Sequence, residues 1–279
     1  MEKFSKIVAG ILLAGMTMLS ACASAEETKV QDQNVYGILH FAQPIEKETA
    51  EYIKGGLNAP VYFDDLNSML LALRAKKIDA IIDFPLPVAE YICNRNQDMQ
   101  MAEFYDKRWH GNLFLRMGVA KNNIKTCEFL NSAIKELKES GKLDALQKKY
   151  VDGYLQKGKE PKAVMLPKFK DAQVIKVAVA GDMPPLDLVA ADGTPAGFNV
   201  AMLAEIAKLK KVNIVPIPMN SGARFLSLSK GIVDAIFFID EAVYNKAKQT
   251  EFYAETDIPK NICVTDAYAK YSMRNVKLK

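Results

Sequence analysis

The stretch 175–241 limits the fold more than any other part of the chain, because it reads strand, turn, helix, strand, helix, strand. It opens with a short apolar strand at 175–180, breaks at Gly181-Asp182, and is stiffened at its exit by Pro184-Pro185. A second strand at 186–190 leads to Asp192-Gly193, a two-residue hairpin signal between apolar flanks. The chain then enters a helix at Gly197-Phe198-Asn199, with Asn199 as the expected N-cap and Val200, Leu203, Ile206 and Ala207 as one apolar face. A strand at 212–217, a helix at 225–229 and the phrase KGIVDAIFFID complete an α/β unit.

A second copy of part of this pattern lies earlier. The run Leu73-Arg74-Ala75-Lys76-Lys77-Ile78-Asp79-Ala80-Ile81 lies over Leu228-Ser229-Lys230-Gly231-Ile232-Val233-Asp234-Ala235-Ile236, and each is preceded by a strand and a helix. Two similar α/β lobes follow from this, with parallel strands joined by short crossovers. Downstream of the first copy, 85–94 looks like the helix that follows this strand in a known receptor family, and 113–120 resembles the strand by which that family returns across its hinge. Helices are expected at 128–137, with Phe129, Leu130, Ala133, Ile134 and Leu137 on one face, and at 142–150 beyond Gly141. Residues 152–172 turn to Gly, Pro and Lys and read as a linker, about 20 residues, able to reach on the order of 60 Å when extended.

The first residues carry an export signal. Lys3 and Lys6 precede an apolar run at 7–19 that is too short to span a bilayer comfortably, followed by Leu19-Ser20-Ala21-Cys22. The ending looks like a bacterial lipobox, which makes Cys22 the expected lipidated first residue of the mature chain and 23–34 a polar tether. Of the other cysteines, Cys93, Cys127 and Cys263, at most one pair can bridge; Cys127 and Cys263 lie beside apolar residues and read as small buried hydrophobes. His40 and His110 are far apart and no CxxC appears, so no metal site or cofactor is expected. A net charge of +4 on 279 residues, with no basic cluster interleaved with aromatics, argues against nucleic acid as a partner.

In order and interval, Pro184-Pro185-Leu186, Gly197-Phe198-Asn199 and Gly231-Ile232-Val233-Asp234-Ala235 resemble the opening of the amino-acid-type (family 3) solute-binding proteins of ABC importers. The phrase LNSAIKELKESGKLDALQKKYV is similar to the usual end of such a receptor, yet here it sits mid-chain. The resemblance implies an α/β, two-lobed, type II periplasmic-binding-protein-like fold with a hinge of two crossing strands, in circularly permuted order. The expected division is a signal peptide at 1–21, a tether at 22–34, the second lobe at 35–115, and a return hinge strand with helices packing on the first lobe at 116–151. A linker at 152–172, the first lobe at 173–260, and a hinge strand (261–267) with a tail to 279 complete it. A fusion of two incomplete receptors is the competing account of the order.

The same resemblance implies a cleft between the lobes holding a small solute, an amino acid or a similar compound. Asp83, at the end of a second-lobe strand, is the implied ammonium partner, or else a cap for the next helix. Lys246 falls on the implied carboxylate partner's position, where the family usually has Arg; lysine keeps the charge and loses the bidentate fork. Ile239, Glu241, Val243, Leu186 and Asp182 are the other implied site residues, and Asp240 and Glu241 can alternatively start a helix. Trp109 either lines the cleft or packs. The implied protein is not an enzyme: it is an extracytoplasmic, lipid-anchored, monomeric receptor whose partners are its solute, an ABC permease and the membrane. A sensor or assembly lipoprotein without a transport role, or a dehydratase-like enzyme using a carboxyl such as Glu241 as general acid, are the alternatives.

Overall fold

The computed structural model describes residues 34–39, 60–102, 112–156, 162–190, 192–239 and 262–279. Cys22, the leader and most of the tether lie outside them, as do His40, Trp109, His110, Asp240, Glu241, Val243 and Lys246, and the side chain of Asp83.

In chain order the elements begin with β1 (Tyr36–Leu39), β2 (Val61–Phe63), α1 (Leu66–Arg74), β3 (Ala80–Pro85), α2 (Leu86–Arg95) and β4 (Met99–Ala102). The crossing strand β5 (Asn112–Ala120) leads into α3 (Ile124–Glu139) and α4 (Lys142–Gln147), which continues through a wide turn to Leu155. Next come β6 (Val174–Val179), β7 (Asp182–Met183), β8 (Asp187–Val189), β9 (Pro195–Ala196), α5 (Phe198–Lys210), β10 (Asn213–Pro218), α6 (Arg224–Ser229) and β11 (Ala235–Ile239). The chain closes with β12 (Ile262–Val264) and β13 (Ala269–Leu278).

Ten strands form one sheet in two halves of the same design, β10-β6-β11-β5-β12 and β2-β1-β3-β13-β4. In each half three strands are parallel, and the fourth runs against them between the third and the last. The two antiparallel strands are exchanged: β5 leaves the β1–β4 half to enter the other, and β13 makes the reverse journey. Where they pass they pair with each other, Leu115 opposite Ala269 and Asn112 opposite Ser272. Residues 269–278, expected as a tail, are therefore a ten-residue strand that buries Met273, Asn275 and Val276. Lys and Arg at the intervening positions hid its half-buried alternation.

The duplicated segment has one structural explanation in both halves. Asp79 accepts the Val35 N–H through Oδ2 at 2.7 Å and donates its own N–H to the Val35 carbonyl at 2.7 Å. Asp234 does the same to Lys176, with both bonds at 2.8 Å. The aspartate thus clasps the start of the neighbouring strand and sets the register of the parallel pair. Lys76 and Gly231, at matching positions, both end their helices with positive φ (55° and 68°).

Two details of α5 differ from expectation. Gly197, not Asn199, precedes the first turn of α5, with φ +97° and no side-chain cap. The amides of Phe198 and Asn199 instead donate to the carbonyls of Pro185 and Leu186, an approach so close that a Cβ on Gly197 would stand 2.7 Å from the Pro185 oxygen. The α5 helix is buried nearly all round, because α3 and α4 cover its outer side. Cys127 and Cys263, expected as small buried hydrophobes with one bridge among the three cysteines left open, form a disulfide that ties α3 to β12; 136 positions apart, they are brought together only by the fold.

Part of the expected linker is pinned to β9 and β10. The Val164 N–H bonds the Pro195 carbonyl, and the Asn213 side chain clasps both backbone groups of Phe169 at 2.8 Å. Cys93 is a free, half-buried thiol whose pKa burial raises.

Candidate functional site

The turn after β6, the loop after β10 and the start of α6, with Asn199 of α5 and Tyr268 ahead of β13, enclose a buried polar cluster. Asp182, Asp187, Asn199, Ser221, Arg224 and Tyr268 are all buried there. Strand β6 ends at Val179, and the chain reverses through Gly181 (φ +78°) and the cis Pro184-Pro185 bond into β8, which brings Asp187 back beneath the loop. The Asp187 carboxylate accepts the amides of Ala180 and Gly181 at 3.3 Å each, holding the turn closed.

Arg224 opens α6 with 1% exposure. Its Nε donates to the Ser221 carbonyl at 3.2 Å and its Nη1 to the Phe237 carbonyl at 2.9 Å, so one guanidinium joins the start of α6 to the end of β11. It also lies over the Phe238 ring. Burial lowers its pKa to about 10, against the support of Asp187 and Asp182. Burial likewise pushes Asp187 up to about 7, opposed by Arg224 and the two amides. Tyr268 is raised well above its usual value, by burial first and Asp187 next. Its hydroxyl lies beside the Asn199 amide, yet among the described residues neither the hydroxyl nor either end of that amide completes a hydrogen bond of ordinary geometry. A buried pair left in this way is a natural seat for an internal water.

Asp182 faces the other half of the molecule. Its Oδ2 accepts the Ser221 hydroxyl at 3.0 Å and its Oδ1 the N–H of Leu66, the first residue of α1, at 3.3 Å. Beside it the Ser221 N–H donates to the Asp64 carbonyl at 3.3 Å. Burial raises the Asp182 carboxyl, opposed by these bonds.

The residues expected at the site fall into four groups. Asp182 is at the meeting of the two halves, with both oxygens engaged. Leu186 (0% exposed) and Ile239 (4%) are packed, Leu186 in the large core and Ile239 in a smaller one with Ala178, Leu228, Val233 and Ile236. Both were expected to line a cleft; in this form their side chains serve packing. Asp83 lies in β3 and Ile239 closes β11, the third parallel strand of each half. Lys246, Glu241 and Val243 lie outside the described residues. Asp187, Arg224 and Tyr268 were not anticipated. The available signal was a lone Asp in the apolar phrase LDLV and a lone Arg heading the apolar run FLSL, two opposite charges that burial obliges to meet.

Among the described residues no three His, Cys, Asp or Glu side chains gather as a metal site, and no helix is long and apolar enough to cross a membrane.

Two halves of like strand order exchanging antiparallel strands define a two-lobed, type II periplasmic-binding-protein-like α/β fold. Residues 175–269 match the family model of the bacterial extracellular solute-binding proteins, family 3, a family of binding proteins. No curated protein matches the chain. Similar solved structures include the ligand-binding component of an ABC-type import system from Staphylococcus aureus with zinc bound, at 9% identity and TM-score 0.42, covering 88% of this chain and 65% of that one. The chain thus spans under two thirds of that structure. ArgBP from T. maritima, as a mutant, is similar at 12% identity and TM-score 0.36, covering 88% and 81%. The regulatory domain of OxyR2 from Vibrio vulnificus is similar at 14% and 0.39, covering 91% and 91%.

Proposed function

We propose that this chain is an extracytoplasmic solute-binding lipoprotein, anchored through Cys22, that captures a small polar solute for an ABC importer. The observation that carries the reading is the family match over residues 175–269. The Cys127–Cys263 disulfide supports it, since such bonds persist in oxidising compartments outside the cytoplasm. Binding, not catalysis, is the activity, with an amino acid or related compound as solute and an ABC permease as partner to a monomeric receptor.

Asp83 and Lys246 are the proposed charge partners of the solute, with Glu241, Val243 and Ile239 beside them. Thermal denaturation against a panel of amino acids and amines tests the reading, because a solute that binds only the folded state raises the melting temperature. For a solute so found, Asp83→Ala and Lys246→Ala should each weaken binding about ten- to a hundredfold by calorimetry, the worth of a charge-assisted hydrogen bond. A panel without any shift would remove the receptor reading. Unchanged affinity in both variants would remove the proposed partners alone.

The chain order is proposed to be a circular permutation, in which the 35–115 lobe precedes the 173–260 lobe. Tyr36 of β1 and Lys277 of β13 both pair with Ala80, one on each side of β3. A short join there would restore the order in which the first lobe leads. The placement of α3 and α4 against α5 supports the same reading.

A further inference from the structure

The N-terminus of α1 shows an uneven division of labour among its donors. The first amides of a helix have no partner within it and carry the positive end of its dipole. Asp65, the N-cap, accepts the Ser68 N–H at 2.8 Å and the Ser68 hydroxyl at 2.7 Å. Its carbonyl accepts the Met69 N–H at 3.4 Å. Leu66 N–H is a donor that α1's own end does not satisfy, and the carboxylate that takes it comes from β7, 116 positions along the chain, in the small β7-β8-β9 sheet that follows β6. Ser221 fixes that carboxylate from behind and adds a second link between the halves through Asp64. Asp64, Asp65, Asp187 and Arg224 are the charged groups around it. Asp182 therefore occupies, from within the protein, the place where a helix N-terminus receives an anion.

We propose that Asp182 is a built-in anion for the second half: it fills the seat at the start of α1, draws the halves together before any solute arrives, and thereby sets which solutes are admitted. A solute whose carboxylate needs that seat must displace Asp182, whereas one that carries an ammonium or neutral polar group leaves it in place. This deepens the receptor reading given above, but its first test uses no solute.

Hydrogen exchange on the full-length chain without solute reports the seam directly. Protection is expected over 65–70 and 219–224, and in Asp182→Ala it should fall in those two segments by on the order of tenfold or more, as in a local opening, with the rest unchanged. Formate, a free carboxylate, should restore protection in Asp182→Ala by occupying the vacated seat, while chloride at equal ionic strength should not. Asp182→Asn, which keeps the volume and one acceptor, should fall between the two proteins and serves if the alanine variant fails to fold. Unchanged exchange at the seam in a folded Asp182→Ala or Asp182→Asn protein, or no response to formate, overturns the proposal. These results stand whether or not the solute panel returns a solute.

Discussion

Arg224 and Asp187 are each alone in an apolar stretch of sequence and lie in one buried cluster, where each feels the other's charge. A buried cation costs several kcal/mol to desolvate and persists only when its donors are matched, here by the carbonyls of Ser221 and Phe237 and by nearby carboxylates. Arg224→Ala would leave Asp187 without its cation, and chemical denaturation should show a loss of roughly 3–5 kcal/mol. The same pair predicts a pH dependence. Asp187 gives up its proton near pH 4 when unfolded and at about 7 when folded, so between those values the folded protein holds the extra proton. Its contribution to stability should therefore decline as pH rises from about 4 to 7. Asp187→Asn should flatten that decline; an identical profile in the variant would show that Asp187 titrates normally.

At the scale of the element, the Asp-Ala-Ile phrase appears twice because one clasp is built twice. Asp234→Ala removes the Lys176 N–H acceptor beside β6, and Asp79→Ala does the same for Val35 beside β1. Both bonds are exposed, so each change should cost about 0.5–1.5 kcal/mol, with early loss of exchange protection at the clasped amide. Gly197 is the other position where an element depends on one residue type. A side chain there would meet the Pro185 and Leu186 carbonyls at 2.7 and 2.8 Å in a positive-φ conformation. Gly197→Ala should lower stability by at least about 1 kcal/mol, read as a reduced melting temperature. Most elements apart from β4, β7, β9 and β13 were legible as a strand or helix from the sequence. The cap of α5 was not, because Asn199 has a capping side chain while the partners of the Phe198 and Asn199 amides are carbonyls thirteen residues earlier, which no local rule reveals.

For the whole molecule, Cys127–Cys263 closes a loop of 136 positions between α3 and β12. Replacing both cysteines with serine should cost roughly 2–5 kcal/mol, measured by denaturant midpoint under oxidising conditions and absent under reducing ones. While the strand at 113–120 that returns between the two α/β repeats was implied by the family resemblance, short-range chemistry in the sequence determined the repeats themselves and the likeness of 228–236 to 73–81. Such features depend on neighbours within a few turns or strands. The pairing of β5 with β13, the disulfide, the buried Asp187–Arg224 pair and the Asp182 contact with α1 depend on residues brought together from distant parts of the chain. They were decided only by the tertiary structure, since burial and desolvation, which make a charge or a thiol seek its partner, act across space and leave no fixed spacing in the sequence.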